Sequence, residues 1–182
     1  MSINFSASSY ILKHVEEVLS GDFGPSIEKM LEMLLGADKI FIYGVGRSGL
    51  VGKAFAIRLV QMGLKVFFVG ETVTPIVESK DVVVIISNTG ETMSAIQTAN
   101  ITRRVGSKVV AITSNPNSKL AHAVNLVVAL KPKRDEKREL YAPLGTLFEM
   151  CAYAFLDGIV ARLMESLKMR ENDLRGRHAI WV

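Results

Sequence analysis

Ile40-Phe41-Ile42-Tyr43-Gly44-Val45-Gly46-Arg47-Ser48-Gly49 and Val82-Val83-Val84-Ile85-Ile86-Ser87-Asn88-Thr89-Gly90-Glu91-Thr92 share one pattern: a short aliphatic run that breaks into a polar, glycine-bearing turn. A run that is apolar at consecutive positions has no polar face. As a strand it must be covered on both sides, as happens in parallel sheets flanked by helices. After the first turn an apolar helix is expected from about Leu50 to Met62, stopped by Gly63, and after the second a helix from Glu91 to about Val105. Leu64 to Val69, Lys108 to Ile112 and Asn125 to Leu130 read as three more strands. The alternation predicts an α/β fold, a three-layer αβα sandwich around a five-stranded, doubly wound parallel sheet.

Working outward, two helices are expected before the first strand. Ile11, Leu12, Val15, Val18 and Leu19 recur at helical spacing, and so do Ile27, Met30, Leu31, Leu34 and Leu35 after Gly24-Pro25. The last long segment, about Leu144 to Leu167, is helical and apolar around more than one stripe, which predicts a subunit interface, with a central helix buried within one chain as the other reading. The 182 residues suit one domain over 1–182, with N-terminal helices in 4–36 and a C-terminal helix plus tail in 144–182. Lys131 to Glu139 reads as a charged, solvated loop.

Bulk properties narrow the function. Hydrophobic residues make up 49% of the chain, the composition of a folded interior. The longest aliphatic stretch, Val82 to Ile86, is far short of the roughly 20 residues that span a bilayer. No basic, apolar and small-residue series opens the chain, so a cytoplasmic protein is expected. Cys151 is the only cysteine, set in an apolar run where a buried, inert thiol is expected. The net charge of +4 comes without the aromatic platforms of RNA-binding proteins, and suits a small anionic ligand better than nucleic acid.

In parallel sheets ligands bind beyond the carboxyl ends of the strands, where both polar turns fall. Gly44, Gly46 and Gly49 form the literal GxGxxG spacing, which keeps a nicotinamide or flavin reading open. The context favours something else: no acid is convincingly placed at the end of the next strand, and the second turn carries three hydroxyls, on Ser87, Thr89 and Thr92. Hydroxyls and backbone N–H groups at a helix start can hold a phosphate, with Ser48 adding a hydroxyl and Arg47 a fixed charge. The competing explanation is ordinary helix capping by Ser87 or Thr89. No His, Cys, Asp and Glu cluster has metal-site spacing, and GxxxxGK[ST] is absent.

Taken together, Gly46-Arg47-Ser48-Gly49, Val69-Gly70-Glu71-Thr72 with Thr74-Pro75, Ser87 through Thr92, Pro143-Leu144-Gly145-Thr146-Leu147-Phe148-Glu149 and Arg177-His178 resemble the sugar isomerase (SIS) domain, more narrowly the 6-phospho-3-hexuloisomerase family. The likeness covers nearly the whole chain. It implies a flavodoxin-like topology, a homotetramer, no metal or organic cofactor, and interconversion of D-arabino-hex-3-ulose 6-phosphate and D-fructose 6-phosphate. It also implies work beside hexulose-phosphate synthase in formaldehyde fixation, the ribulose monophosphate route. Two departures stand out: Asn88-Thr89 replaces the commoner Gly-Ser, and the tail reads Ala179-Ile180-Trp181-Val182 where Ala-Asn-Leu-Glu is usual.

Moving a ketone from C3 to C2 requires proton transfer between carbons through an enediol or enediolate. Glu149, an acid among Leu147, Phe148 and Met150, is the candidate base, and His178 the candidate partner for proton shuttling or ring opening. Candidate substrate and phosphate ligands are Gly46, Arg47, Ser48, Ser87, Asn88, Thr89, Glu91, Thr92 and Arg177. Another aldose-ketose phosphosugar isomerase and a noncatalytic phosphosugar-binding protein are the alternatives. His14 and His122 read as helix-face or loop residues.

Overall fold

The computed structural model describes residues 3–133 and 135–179. Two helices, α1 (Ile3–Leu19) and α2 (Gly24–Leu35), lead into β1 (Ile40–Gly44), α3 (Gly46–Gln61), β2 (Val66–Phe68), β3 (Val82–Ile86), α4 (Met93–Arg104) and β4 (Lys108–Thr113). A short α5 (Lys119–His122), β5 (Leu126–Ala129), a single turn α6 (Arg138–Tyr141), the long α7 (Thr146–Ser166) and α8 (Glu171–Arg175) follow.

The five strands are all parallel, in the order β2-β1-β3-β4-β5. Alternate side chains enter two cores, as the two-residue period of a strand requires. Ile40, Ile42, Val82, Val84, Ile86, Val110 and Ile112 pack with Met30, Leu34, Phe55, Leu59, Phe148 and Phe155 of α2, α3 and α7. Phe41, Val83, Ile85, Val109 and Ala111 face the other way, onto Ala95 and Ala99 of α4 and Leu120 of α5. The expected three-layer sandwich and its five-stranded parallel sheet are therefore present.

Chain order runs from β1 outward to β2 and then back across to β3 on the opposite side of β1. The switch point lies between β1 and β3, where Gly44 pairs in register with Ile86. The two polar turns thus start side by side, although they are far apart along the chain.

Helix α7 packs against α1, α2 and α3 of its own chain. Leu147, Phe148, Cys151, Phe155, Leu156, Ile159, Val160 and Leu163 are buried there, while Met150 and Tyr153 remain exposed. Three neighbouring helices absorb the broad apolar circumference, so the apolarity of this segment does not itself require a second subunit. Burial pushes the Cys151 thiol up to about 11, in keeping with an unreactive core side chain.

The boundaries differ from expectation in instructive places. Helix α3 starts inside the first turn because its glycines permit a close approach: a Cβ on Gly49 would stand 2.6 Å from the Gly44 carbonyl oxygen. The GxGxxG spacing thus serves helix-on-strand packing. Strand β2 begins later than Leu64, whose N–H donates to Leu59 O and finishes α3 instead. Among the described residues, no helix is long and apolar enough to cross a membrane.

Candidate active site

The second turn is held open from below by its glycine. Gly90 has φ +67°, and a Cβ there would fall 2.0 Å from Ser118 Oγ. Its carbonyl accepts the Leu120 N–H at 3.0 Å, tying the turn to α5. Among the described residues, the N–H groups of Asn88, Thr89 and Gly90 donate to no other backbone group.

Neither helix that begins beside the turns is capped by a side chain. Val45 precedes α3 and has no side-chain polar atom to offer, and Thr92 precedes α4 with a hydroxyl that accepts nothing from it, although its carbonyl accepts the Ile96 N–H at 3.1 Å. The hydroxyls are therefore not spent on helix capping: Ser87 Oγ donates to Thr92 Oγ1 at 3.3 Å, and Thr89 Oγ1 accepts the Glu91 N–H at 3.2 Å. Val45, Ser48, Ile86, Ser87, Asn88, Thr89, Thr92 and Ala95 enclose a cavity of about 150 Å³. Uncapped N–H groups, positive helix ends and hydroxyls converging on a small cavity have the chemistry to hold an anion.

Glu149 sits in the first turn of α7, 8% exposed. Its Oε2 lies 2.5 Å from Arg47 Nε of α3 in an ion pair, and among the described residues Oε2 has no partner in hydrogen-bond geometry. Its Oε1 reaches toward the second turn: a Cβ on Gly145 would meet Glu149 Oε1 at 3.1 Å and Asn88 Nδ2 at 3.3 Å. A buried carboxylate needs a compensating charge, which Arg47 supplies, and this one borders both polar turns.

A second cavity of about 410 Å³ adjoins the first through Asn88 and Thr89 and extends to Ser114, Asn115, Lys131, Lys133, Arg138, Leu144 and Phe148. Lys131, Pro132, Lys133 and Arg138, from the Lys131 to Glu139 stretch expected to be only a solvated face, form one of its walls. Arg138 is steadied by donating to Leu144 O at 2.8 Å. Asp135 accepts from the Tyr10 hydroxyl at 2.7 Å, anchoring this wall to α1; that hydrogen bond is the main reason its carboxyl titrates below the ordinary range. Glu91 lines the same cavity but is turned to α5, accepting the Lys119 N–H at 3.0 Å, the first cause of its lowered titration.

The structure thus brings together Gly46, Arg47, Ser48, Ser87, Asn88, Thr89, Thr92 and Glu149, with Glu91 at the rim. It does not bring Arg177 and His178 to them within one chain. Arg177 lies against Gly63, its Cζ 3.2 Å from where a Cβ would stand, at the far end of a 16-residue helix that spans about 24 Å. His178 is exposed, with Nδ1 3.2 Å from Ala179 O. The altered tail residues Ile180, Trp181 and Val182 lie outside the described residues. His14 is buried on α1 and bonded to Tyr10 O, while His122 is exposed on α5.

Sequence reasoning missed Ser114, Asn115 and Gly145. The signal for the first two was available, since Thr113-Ser114-Asn115 follows a strand as the other turns do. Gly145 carried no signal of its own, because its role is the space it leaves between residues from two distant segments.

Comparison with known proteins gives the class of this fold and site. The SIS-domain family model matches residues 33–154. A 3-hexulose-6-phosphate isomerase from Methanocaldococcus jannaschii is 36% identical over 84% of this chain and 82% of its own, and one from Bacillus subtilis is 33% identical over 84% of both. An uncharacterised Archaeoglobus fulgidus protein is 40% identical over 93% of this chain and 95% of its own. A probable arabinose 5-phosphate isomerase from Haemophilus influenzae is 26% identical over 88% of this chain and 49% of its own. Among solved structures, a Methanococcus jannaschii protein whose structure infers the function 3-hexulose-6-phosphate isomerase superposes with TM-score 0.85 at 33% identity, covering 97% of both chains. The chain belongs to the SIS-domain family of phosphosugar isomerases, on its 6-phospho-3-hexuloisomerase branch.

Proposed function

We propose that this protein interconverts D-arabino-hex-3-ulose 6-phosphate and D-fructose 6-phosphate through an enediolate. The observation that carries the proposal is the position of Glu149, a buried carboxylate bordering both phosphate-type turns. Phosphate is held by the hydroxyls of Ser48, Ser87, Thr89 and Thr92 and the uncapped N–H groups around Gly46 and Asn88, with Glu91 shaping the rim. The carbon chain then extends toward Glu149, which takes the C2 proton and returns a proton to C3. Arg47 orients the carboxylate and offers positive charge to the developing enediolate.

A coupled assay for fructose 6-phosphate formation tests the reading. The unmodified protein should convert hex-3-ulose 6-phosphate, and Glu149→Gln should lower kcat by about 100-fold or more while the protein stays folded. No conversion by the unmodified protein would defeat the assignment. The likeness to the Haemophilus influenzae relative favours one second reading, isomerisation of a pentose phosphate, which a substrate panel ranks by kcat/KM. Binding without turnover of any sugar phosphate would identify a noncatalytic phosphosugar-binding protein.

Arg177 and His178 enter this proposal only through a neighbouring copy, within the homotetramer we propose. Exposed Leu50, Val73 and Ile76 offer apolar surface for such an assembly. Mixing Glu149→Gln with His178→Ala subunits should regain activity if one copy's tail completes another's site. Mixtures no more active than their components would assign His178 no such role. Work in the cytoplasm beside hexulose-phosphate synthase follows from the same reading.

A further inference from the structure

The Asn88 side chain can face Glu149 with either end of its amide, and the chemistry of the site depends on which. Two donors already occupy the lone pairs of the Asn88 backbone carbonyl: the Ser114 N–H at 3.0 Å and the Thr113 hydroxyl at 3.1 Å. Thr113 Oγ1 in turn accepts the Asn115 N–H at 3.2 Å, so its own hydrogen is free to donate. The Ser114 hydroxyl has a single hydrogen and lies 2.8 Å from both that carbonyl and Asn88 Oδ1. With the carbonyl satisfied, the hydrogen goes to Oδ1. That assignment turns Nδ2 toward the gap beside Gly145, where it and Glu149 Oε1 come within 3.3 and 3.1 Å of the point a Cβ on Gly145 would occupy.

We propose that Asn88 is a catalytic donor to the substrate oxygen that gains charge during proton transfer, and that Ser114 is the positioning residue that aims it; this rests on the isomerase reading above. As Glu149 removes the C2 proton, the C–H electron pair becomes the C2–C3 π bond and the C3 carbonyl pair moves onto its oxygen, opposite Nδ2. The oxygen at C3 then takes a proton, the hydroxyl at C2 loses one to become the new carbonyl, and C3 receives the proton held by Glu149. A donor aimed at that oxygen lowers the barrier, whereas a flipped amide would place oxygen against oxygen. Arg47 is the charged group paired with Glu149. Arg138 is engaged by Leu144 O and Glu91 by Lys119, so neither competes for the amide.

Two measurements test this. In steady-state kinetics with hex-3-ulose 6-phosphate, Ser114→Ala should lower kcat about 10- to 100-fold with KM nearly unchanged, and Ser114→Thr, which keeps the hydroxyl, should restore it. In NMR spectra of the unliganded protein, Glu149→Gln should shift the Asn88 side-chain NH2 signals, and Ser114→Ala should abolish that response while Ser114→Thr retains it. Wild-type kcat in Ser114→Ala, or a raised KM alone, overturns the positioning role, as does an NMR response that survives Ser114→Ala. No turnover by the unmodified protein with the NMR pattern intact removes the isomerase reading and leaves the amide orientation supported.

Discussion

Gly145 has φ −90°, which any residue adopts, so its importance lies in the side chain it lacks. A methyl there would occupy the point approached by Glu149 Oε1 and Asn88 Nδ2, both flexible ends that can swing aside. Gly145→Ala should therefore leave the melting temperature within about 4 °C of the parent, the shift of roughly 1 kcal/mol, yet lower kcat at least tenfold by filling the space between base and amide. A variant of full activity would show that no substrate atom uses that gap. At this scale Glu149 was legible as an acid out of place among apolar neighbours. Its pairing with Arg47 was not, because the two residues stand on helices that only packing brings together.

The second turn shows what an element demands of its residues. Gly90 combines a positive φ with a Cβ direction blocked by Ser118, so Gly90→Ala incurs both left-handed strain and a clash. The expected loss is about 2–5 kcal/mol, read from chemical denaturation, together with loss of sugar-phosphate binding. A variant as stable as the parent would mean that the turn can relax away from α5. The strands and long helices around this turn were readable from aliphatic runs and helical spacing. The exact start of α3 and the short α6 were not, since a glycine-bearing first turn and a single-turn helix carry almost no periodic signal.

Across the whole molecule, the displaced carboxylates share one direction. Glu32 is held below the ordinary range by its hydrogen bond from Lys29, Glu78 by Lys39, Glu91 by the Lys119 N–H and Asp135 by the Tyr10 hydroxyl. A folded value below the unfolded one means the fold binds fewer protons. Their contribution is complete above the ordinary carboxylate range and is lost as pH falls through the lowered folded values. The melting temperature should thus decline from about pH 5 toward about pH 3, and added salt should shrink the decline because these groups are exposed. Tyr10 behaves oppositely: burial and then Asp135 push its phenol up to about 12, so its contribution persists below about pH 10 and fades as pH rises through the folded value. A melting temperature that rises on acidification would contradict the assignment of these four carboxylates.

The amino-acid order by itself determined the parallel α/β class, the two polar turns at strand ends and the oddity of Glu149, because each is a local pattern of polarity and spacing. Only the tertiary structure decided that β1 and β3 are neighbours, that Arg47 meets Glu149, that Ser114 hydrogen-bonds Asn88, and that Arg177 and His178 sit away from their own chain's site. These are contacts between segments far apart in the chain. They follow from strand order and helix packing, which no periodicity within a single segment encodes.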